Sequence, residues 1–248
     1  MTAERWKRGI AISCTHAEML HDSAKPALAK ALRDWKPDAV LHLGDFLDTT
    51  AFRSNADDID ASKEIRFDLD AGIGFLDWYF AQATQATTRI VFEGNHDMRP
   101  RKLAQHPNAH IRHSAQDVCA AIASCVSRNH ALYINYDIKT GWYRLGRLWG
   151  HGFMIGENAV RDHAEMMGED CAIGHLHRVE KRSGRSIKRP TCDCIGWLGD
   201  ESKAYYARHR RATMAWGLGF ALFEWRGNDS ILHVQEPTRK GEWRIYAR

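Results

Sequence analysis

Apolar positions in the first hundred residues alternate between two spacings. Gly9-Ile10-Ala11-Ile12-Ser13 is a short apolar run that reads as a buried strand, and Cys14-Thr15-His16 follows it. Leu28, Ala31, Leu32 and Trp35 then recur at steps of three and four, which marks the buried face of a helix. Ser23 stands where a cap belongs, Pro26 lies in the first turn and Pro37 follows the stop. Residues 39–43 form a second strand that runs into Gly44-Asp45-Phe46-Leu47-Asp48. A second helical stretch covers about 60–85, with Ile65, Leu69, Ile73, Leu76 and Phe80 in phase. Gly72 and Gly74 each cost about 1 kcal/mol there relative to Ala, so a kink or a local break is expected. Residues 89–92 are a third strand, 98–113 an irregular basic loop, and 117–127 a short helix with Val118, Ala121, Ile122 and Cys125 inward.

From residue 131 the pattern changes to short strands, at 131–136, 142–149, 214–225, 231–234 and 243–246. One helix intervenes at 158–167, with Val160, His163, Ala164 and Met167 on one face. Two strands end on Gly150-His151-Gly152 and Gly174-His175-Leu176-His177. Strand, helix, strand implies a parallel sheet whose site lies at the C-terminal edge. The second half reads as a mixed or largely antiparallel sheet that packs on the first and returns histidines to the same edge.

Composition narrows the class without choosing a function. The 248 residues are 44% hydrophobic and 27% charged, as in ordinary globular proteins, and no linker divides them, so one domain over 1–248 is expected. A net charge of +4 permits a phosphate-bearing partner without demanding one. Six cysteines form no regular framework, which suits a reduced, cytoplasmic protein. Residues 1–9 lack the apolar core of a signal peptide, and no run of about 18 apolar residues exists to span a membrane. Fourteen histidines point toward metal or acid–base work.

The densest chemistry follows the third strand, at Phe92-Glu93-Gly94-Asn95-His96-Asp97. Gly94 lets the backbone turn tightly. Asn95 offers a neutral oxygen to a metal, His96 can carry a proton near neutral pH, and Asp97 could orient that imidazolium. Read alone, the stretch is equally a polar turn facing water. The other strand ends add Cys14-x-His16, Gly44-Asp45-x-x-Asp48, His151-Gly152 and Gly174-His175-x-His177. Imidazoles at His16, His151, His175 and His177 favour Mn, Fe or Zn over Mg.

Five such pieces in this order resemble the calcineurin-like metallophosphoesterases, whose pattern is DxH, GDxxD, GNH(D/E), HG and GHxH. The resemblance spans about residues 10–177. It implies a four-layer α/β/β/α sandwich, two mixed sheets flanked by helices, with a dinuclear metal site at the sheet edge. It assigns Cys14, His16 and His177 to one divalent ion and Asn95, His151 and His175 to the other, with Asp45 between them. A hydroxide bridging the ions then attacks phosphorus in line. His96, paired with Asp97, stabilises the developing charge and protonates the leaving oxygen, while Asp48 holds a ligating histidine in one tautomer. The chain departs from the pattern at Cys14, where the family has Asp. A thiolate keeps the negative charge but is softer and larger. Either the sulfur ligates, or the first ion is weakly held or missing.

Metal-dependent phosphodiester hydrolysis, on nucleotides or nucleic acid, is the resulting expectation. A phosphomonoesterase and a nucleic-acid-binding protein with a degraded site are the alternatives. Arg99 and Arg101 are candidates to meet substrate phosphates, or else line a solvated face. Two basic clusters, Lys181, Arg182, Arg185, Lys188 and Arg189, and Arg208, Arg210 and Arg211 beside Tyr205 and Tyr206, suit nucleic acid or simple solubility. Cys192-Asp193-Cys194, Trp142, Trp149, Trp197, Trp216 and His163 read as packing residues.

Overall fold

The computed structural model describes residues 5–54, 63–204 and 211–245. Four segments build the first half as expected: β1 (Lys7–Ile12), α1 (Ala24–Trp35), β2 (Ala39–His42) and, after the long helix α2 (Ile65–Gln82), β3 (Thr88–Phe92). α3 (Met98–Leu103) and α4 (Ala109–Arg128) lead to β4 (Leu132–Ile134). The second half holds β5 (Trp142–Leu145), β6 (Arg147–Gly150), α5 (Ala159–Met167), β7 (Cys171–Ile173), β8 (Val179–Ser183), β9 (Thr191–Ile195), β10 (Phe220–Arg226) and β11 (Asp229–Gln235).

These strands form two mixed sheets, ordered β11-β10-β1-β2-β3-β4 and β5-β6-β7-β9-β8. β1 to β4 are parallel, with β10 added antiparallel to β1. In the second sheet β6, β7 and β9 are parallel, and β5 and β8 close the edges antiparallel. The period of two in β1 explains the layering. Ile10 and Ile12 face a core under α1, α2 and α4, whereas Ala11 faces the second sheet with Leu41, Phe92, Trp149 and Phe223. A third cluster joins α5 to the far side of the second sheet through Val160, Ala164, Cys171 and Ile173. The result is the four-layer α/β/β/α sandwich. Trp149 is wholly buried between the sheets, its ring 4.3 Å from that of Phe223; burying a side chain of this size contributes roughly 2–3 kcal/mol.

Several local expectations need correction. Ser23 does not cap α1: its hydroxyl is engaged with His21 Nδ1 at 2.9 Å and accepts from Trp243 Nε1 at 2.9 Å. α2 is continuous through Gly72 and Gly74. A Cβ on Gly72 would lie 2.4 Å from Leu47 Cδ2 and 2.9 Å from the Phe46 carbonyl, so this glycine lets α2 press against the loop after β2. Residues 98–113 are mostly helical rather than a loop. The single strand expected at 142–149 is the hairpin of β5 and β6, because Gly146 turns at φ +71. The strand expected at 214–225 begins only at Phe220, and β10 and β11 extend the first sheet rather than the second. The basic stretch 181–189 is a hairpin of β8 and β9. At 243–246 only a bridge between Pro237 and Trp243 occurs, Tyr246 lying outside the described residues together with Tyr205, Tyr206, Arg208 and Arg210.

Candidate metal centre

The loops after β1, β2, β3, β6 and β7 converge at one sheet edge. Cys14, His16, Asp45 and His177 bring ligand atoms within 4.8 Å of one another, and so do Asp45, His151 and His175. Asp45 belongs to both groups. Its loop can approach so closely because Gly94 has no side chain: a Cβ there would lie 2.1 Å from Asp45 Oδ1. Among the described residues, seven of the ten non-glycine residues with positive φ (Cys14, His16, Ala17, Asp45, Thr49, His175 and His177) lie on these loops. Each such conformation costs on the order of 1 kcal/mol, and the surrounding structure holds them here to aim the side chains inward.

On one side, His16 Nε2 and His177 Nε2 face each other at 3.0 Å. His16 turns its Nδ1 to Asp48 Oδ1 at 3.2 Å, which fixes the ring. The His177 ring stacks on Trp197 with centroids 4.6 Å apart. Cys14 Sγ lies in the same buried group and accepts the backbone N–H of His175 at 3.2 Å. On the other side, His151 donates Nδ1–H to the Leu43 carbonyl at 2.7 Å. Its Nε2 lies 3.1 Å from Asn95 Oδ1 and 3.2 Å from Asp45 Oδ2, and although burial opposes a charge on the ring, Asp45 pulls its pKa up.

These donors fit divalent ions. The Nδ1 atoms of His175 and His177 are buried without a hydrogen-bond partner, a costly state for a polar atom. Burial and neighbouring histidines push His175 down to about 3 and His177 well below the usual range, so both are neutral, the form that ligates. Burial opposes ionisation of Asp45, but His151, His96 and His16 hold its carboxyl well below the ordinary range. The family model for calcineurin-like phosphoesterases matches residues 8–179, the span that carries every donor above.

The chain belongs to the calcineurin-like phosphoesterases. Among solved structures, Vps29 from Chaetomium thermophilum is 12% identical, with 97% of this chain and 96% of that chain covered and a TM-score of 0.50. Vps29 from Cryptosporidium parvum is 12% identical, covering 98% and 97%, with a TM-score of 0.48. A single mutant of Vps29 from Entamoeba histolytica is 9% identical, covering 94% of each chain, with a TM-score of 0.46. The likeness to the Chaetomium protein is one of fold. No curated protein matches the chain.

Within this phosphoesterase, one assignment from the sequence is overturned. Asp97 does not pair with His96. Its buried carboxylate accepts the backbone N–H groups of Asp45, Gly94 and Leu47 at 2.7, 2.8 and 2.9 Å, tying two site loops together. Burial and the Asp45 charge push that carboxyl up to about 8, against the pull of the N–H donors. His96 is held instead by Asp48: its Nδ1 lies 3.0 Å from Asp48 Oδ1 and 2.9 Å from the Asp48 carbonyl. Asp48 also receives the Thr50 hydroxyl. Burial opposes its ionisation, but the two histidines hold it far below the ordinary range.

The arginines are likewise engaged. Arg99 Nη1 donates to the Asp48 carbonyl at 2.7 Å, bracing the loop, and Arg101 grips the buried Glu93 carboxylate at 2.6 and 2.9 Å. Asp68 on α2 was not legible as a site residue. It accepts the N–H groups of Asp48 and Thr49 at 3.0 and 2.6 Å, and no motif marks it. Trp197 has a similar hidden role behind His177. His163 is a packing residue: Nδ1 donates to the Ala159 carbonyl at 2.7 Å and Nε2 accepts from Phe153 N–H at 3.0 Å.

Proposed function

We propose that this phosphoesterase is a metal-dependent phosphodiesterase acting on nucleotide or nucleic-acid diesters. The observation that carries a two-ion reading is the sharing of Asp45 by two groups of donors at one edge. Cys14, His16 and His177 would hold one ion, Asn95, His151 and His175 the other, and Asp45 both. When bound, divalent ions such as Mn, Fe or Zn neutralise charge on the phosphoryl oxygens and lower the pKa of water. His96 keeps Nδ1 on Asp48, which leaves Nε2 to face the substrate and give its proton to the leaving oxygen. Asp48 holds that imidazole and the His16 ring at once.

Diester over monoester is favoured by charge. A monoester dianion calls for guanidinium or ammonium groups beside the ions. Arg99 and Arg101 turn instead to Asp48 and Glu93. A singly charged diester needs less. The test compares bis-p-nitrophenyl phosphate with p-nitrophenyl phosphate on Mn²⁺-loaded protein. Faster turnover of the diester is expected. A clear preference for the monoester overturns the diester assignment, and no turnover of either across Mn²⁺, Fe²⁺ and Zn²⁺ overturns the enzyme.

A further inference from the structure

The β8–β9 hairpin carries chemistry that the metal centre leaves unused. β8 starts at Val179, two residues after His177, and the chain returns through β9 at Thr191. Lys181, Arg182, Arg185, Lys188 and Arg189 are all exposed along this arm, with no carboxylate between them. Lys181 lies 3.8 Å from Asp193 and Arg182 2.6 Å from Glu180. Arg185, Lys188 and Arg189, at the tip, have no ion-pair partner among the described residues. Between them Ile187 is fully exposed.

The tip is fixed rather than loose. Gly184 N–H donates to the Pro190 carbonyl at 2.8 Å and Arg189 N–H to the Ser186 carbonyl at 3.0 Å. Arg185 N–H donates to Glu165 Oε1 on α5 at 2.9 Å. Three cations with no side-chain ion pair among the described residues, around an exposed isoleucine, match a partner that offers both phosphates and apolar faces. We infer that the β8–β9 hairpin docks the phosphate backbone of a nucleic acid, with Ile187 packing on its sugars or bases. β8 is the edge of the five-stranded sheet, with β9 paired to β7 on its inner side, so the tip meets the nucleic acid, and isoleucine is among the apolar wedges that enter base steps.

Position gives the surface a length scale. The five residues of β8 span ~16 Å at ~3.3 Å per residue. A duplex places a phosphate every ~3.4 Å on each strand, so this distance covers about five steps. β8 starts two residues after His177 and runs to the tip, so a ligand lying along it from the metal centre would have to be longer than a dinucleotide. The choice of polymer rests on the diester reading above, whereas binding to the arm does not need hydrolysis.

The test is fluorescence anisotropy with a labelled, phosphorothioate-linked 20-base-pair DNA, using metal-loaded wild type and the R185Q/K188Q/R189Q variant between 50 and 200 mM salt. Removing three phosphate contacts should lower the salt slope by about 2–3 and weaken binding at least tenfold at low salt. Turnover of bis-p-nitrophenyl phosphate should be unchanged. Equal affinity and slope in the two proteins overturn the inference. So does loss of binding to phosphatidylserine vesicles with DNA binding intact, which assigns the arm to a membrane surface. DNA binding that the variant loses, in a protein that hydrolyses no phosphoester, sinks the enzyme assignment and upholds the docking surface.

Discussion

Asp48 Oδ1 lies 3.0 Å from His96 Nδ1 and, on its other side, 3.2 Å from His16 Nδ1. One carboxylate thus holds both the candidate proton donor and a candidate metal ligand. His96→Ala should slow diester turnover about 10²–10⁴-fold while leaving metal content intact. The loss should shrink for leaving groups of low pKa, which need little protonation. Asp48→Asn should slow turnover and also weaken one ion, by roughly 10–100-fold in affinity. A leaving-group series combined with elemental analysis separates the two roles; equal loss across the series for His96→Ala excludes it as the acid.

Asp97 should behave as a structural residue. Asp97→Ala leaves three buried N–H donors without an acceptor, at about 1–3 kcal/mol each. The expected outcome is a melting temperature lower by roughly 6 °C or more in metal-free protein. Calorimetry checks it. Unaltered melting with turnover lost would return Asp97 to the proton-transfer step.

What the sequence revealed and what it hid divide on physical lines. Strand ends carrying Asp45, Asn95, His151, His175 and His177 were legible because apolar runs set the strands and the sheet brings their ends to one edge. The partner of His96 was not legible, because adjacency to Asp97 in the chain says nothing about which way a carboxylate turns. Gly72 suggested a break in α2 by propensity, but close packing on Leu47 explains it. Asp68 sits on a helix with no motif, and only the tertiary contact with Asp48 and Thr49 exposes its role. β10 and β11 joined the first sheet because strand order across a long connection is not encoded locally.

As a ligand, Cys14 would be a softer donor than the family's aspartate. Burial and Asp45 push its thiol well above the ordinary range, so a bound cation is what makes the thiolate accessible. Cys14→Asp should move metal preference from zinc or iron toward Mn²⁺ and Mg²⁺ with activity retained. Cys14→Ala should weaken one ion only, leaving that held by Asn95, His151 and His175. Metal titrations of the three proteins check this; identical metal preference in all three removes Cys14 from the ligand set.

His42 should govern part of the acid response. Its Nδ1 accepts from Gly44 N–H at 3.2 Å and its Nε2 meets the Thr15 hydroxyl at 3.1 Å, so the ring is buried and neutral. Burial, with His151 nearby, pushes it down to about 3. An unfolded histidine titrates near 6.5, so between about 6.5 and 3 the unfolded chain binds a proton that the folded one refuses. Stability from His42 is therefore full above about 6.5 and falls as the pH drops, by up to about 1.4 kcal/mol per pH unit. His42→Gln should make the slope of metal-free stability against pH shallower by about one proton. Urea unfolding at pH 4 to 7 checks it, and parallel slopes contradict it.

The sharing of Asp45 between two ions is tested most directly by counting metal. Elemental analysis of purified wild type and Asp45→Asn, paired with bis-p-nitrophenyl phosphate turnover, should find two divalent ions per wild-type chain. In Asp45→Asn both ions and turnover should be lost together. A variant that keeps two ions and normal turnover, or a wild type that hydrolyses the diester with one ion or none, contradicts the shared-carboxylate centre.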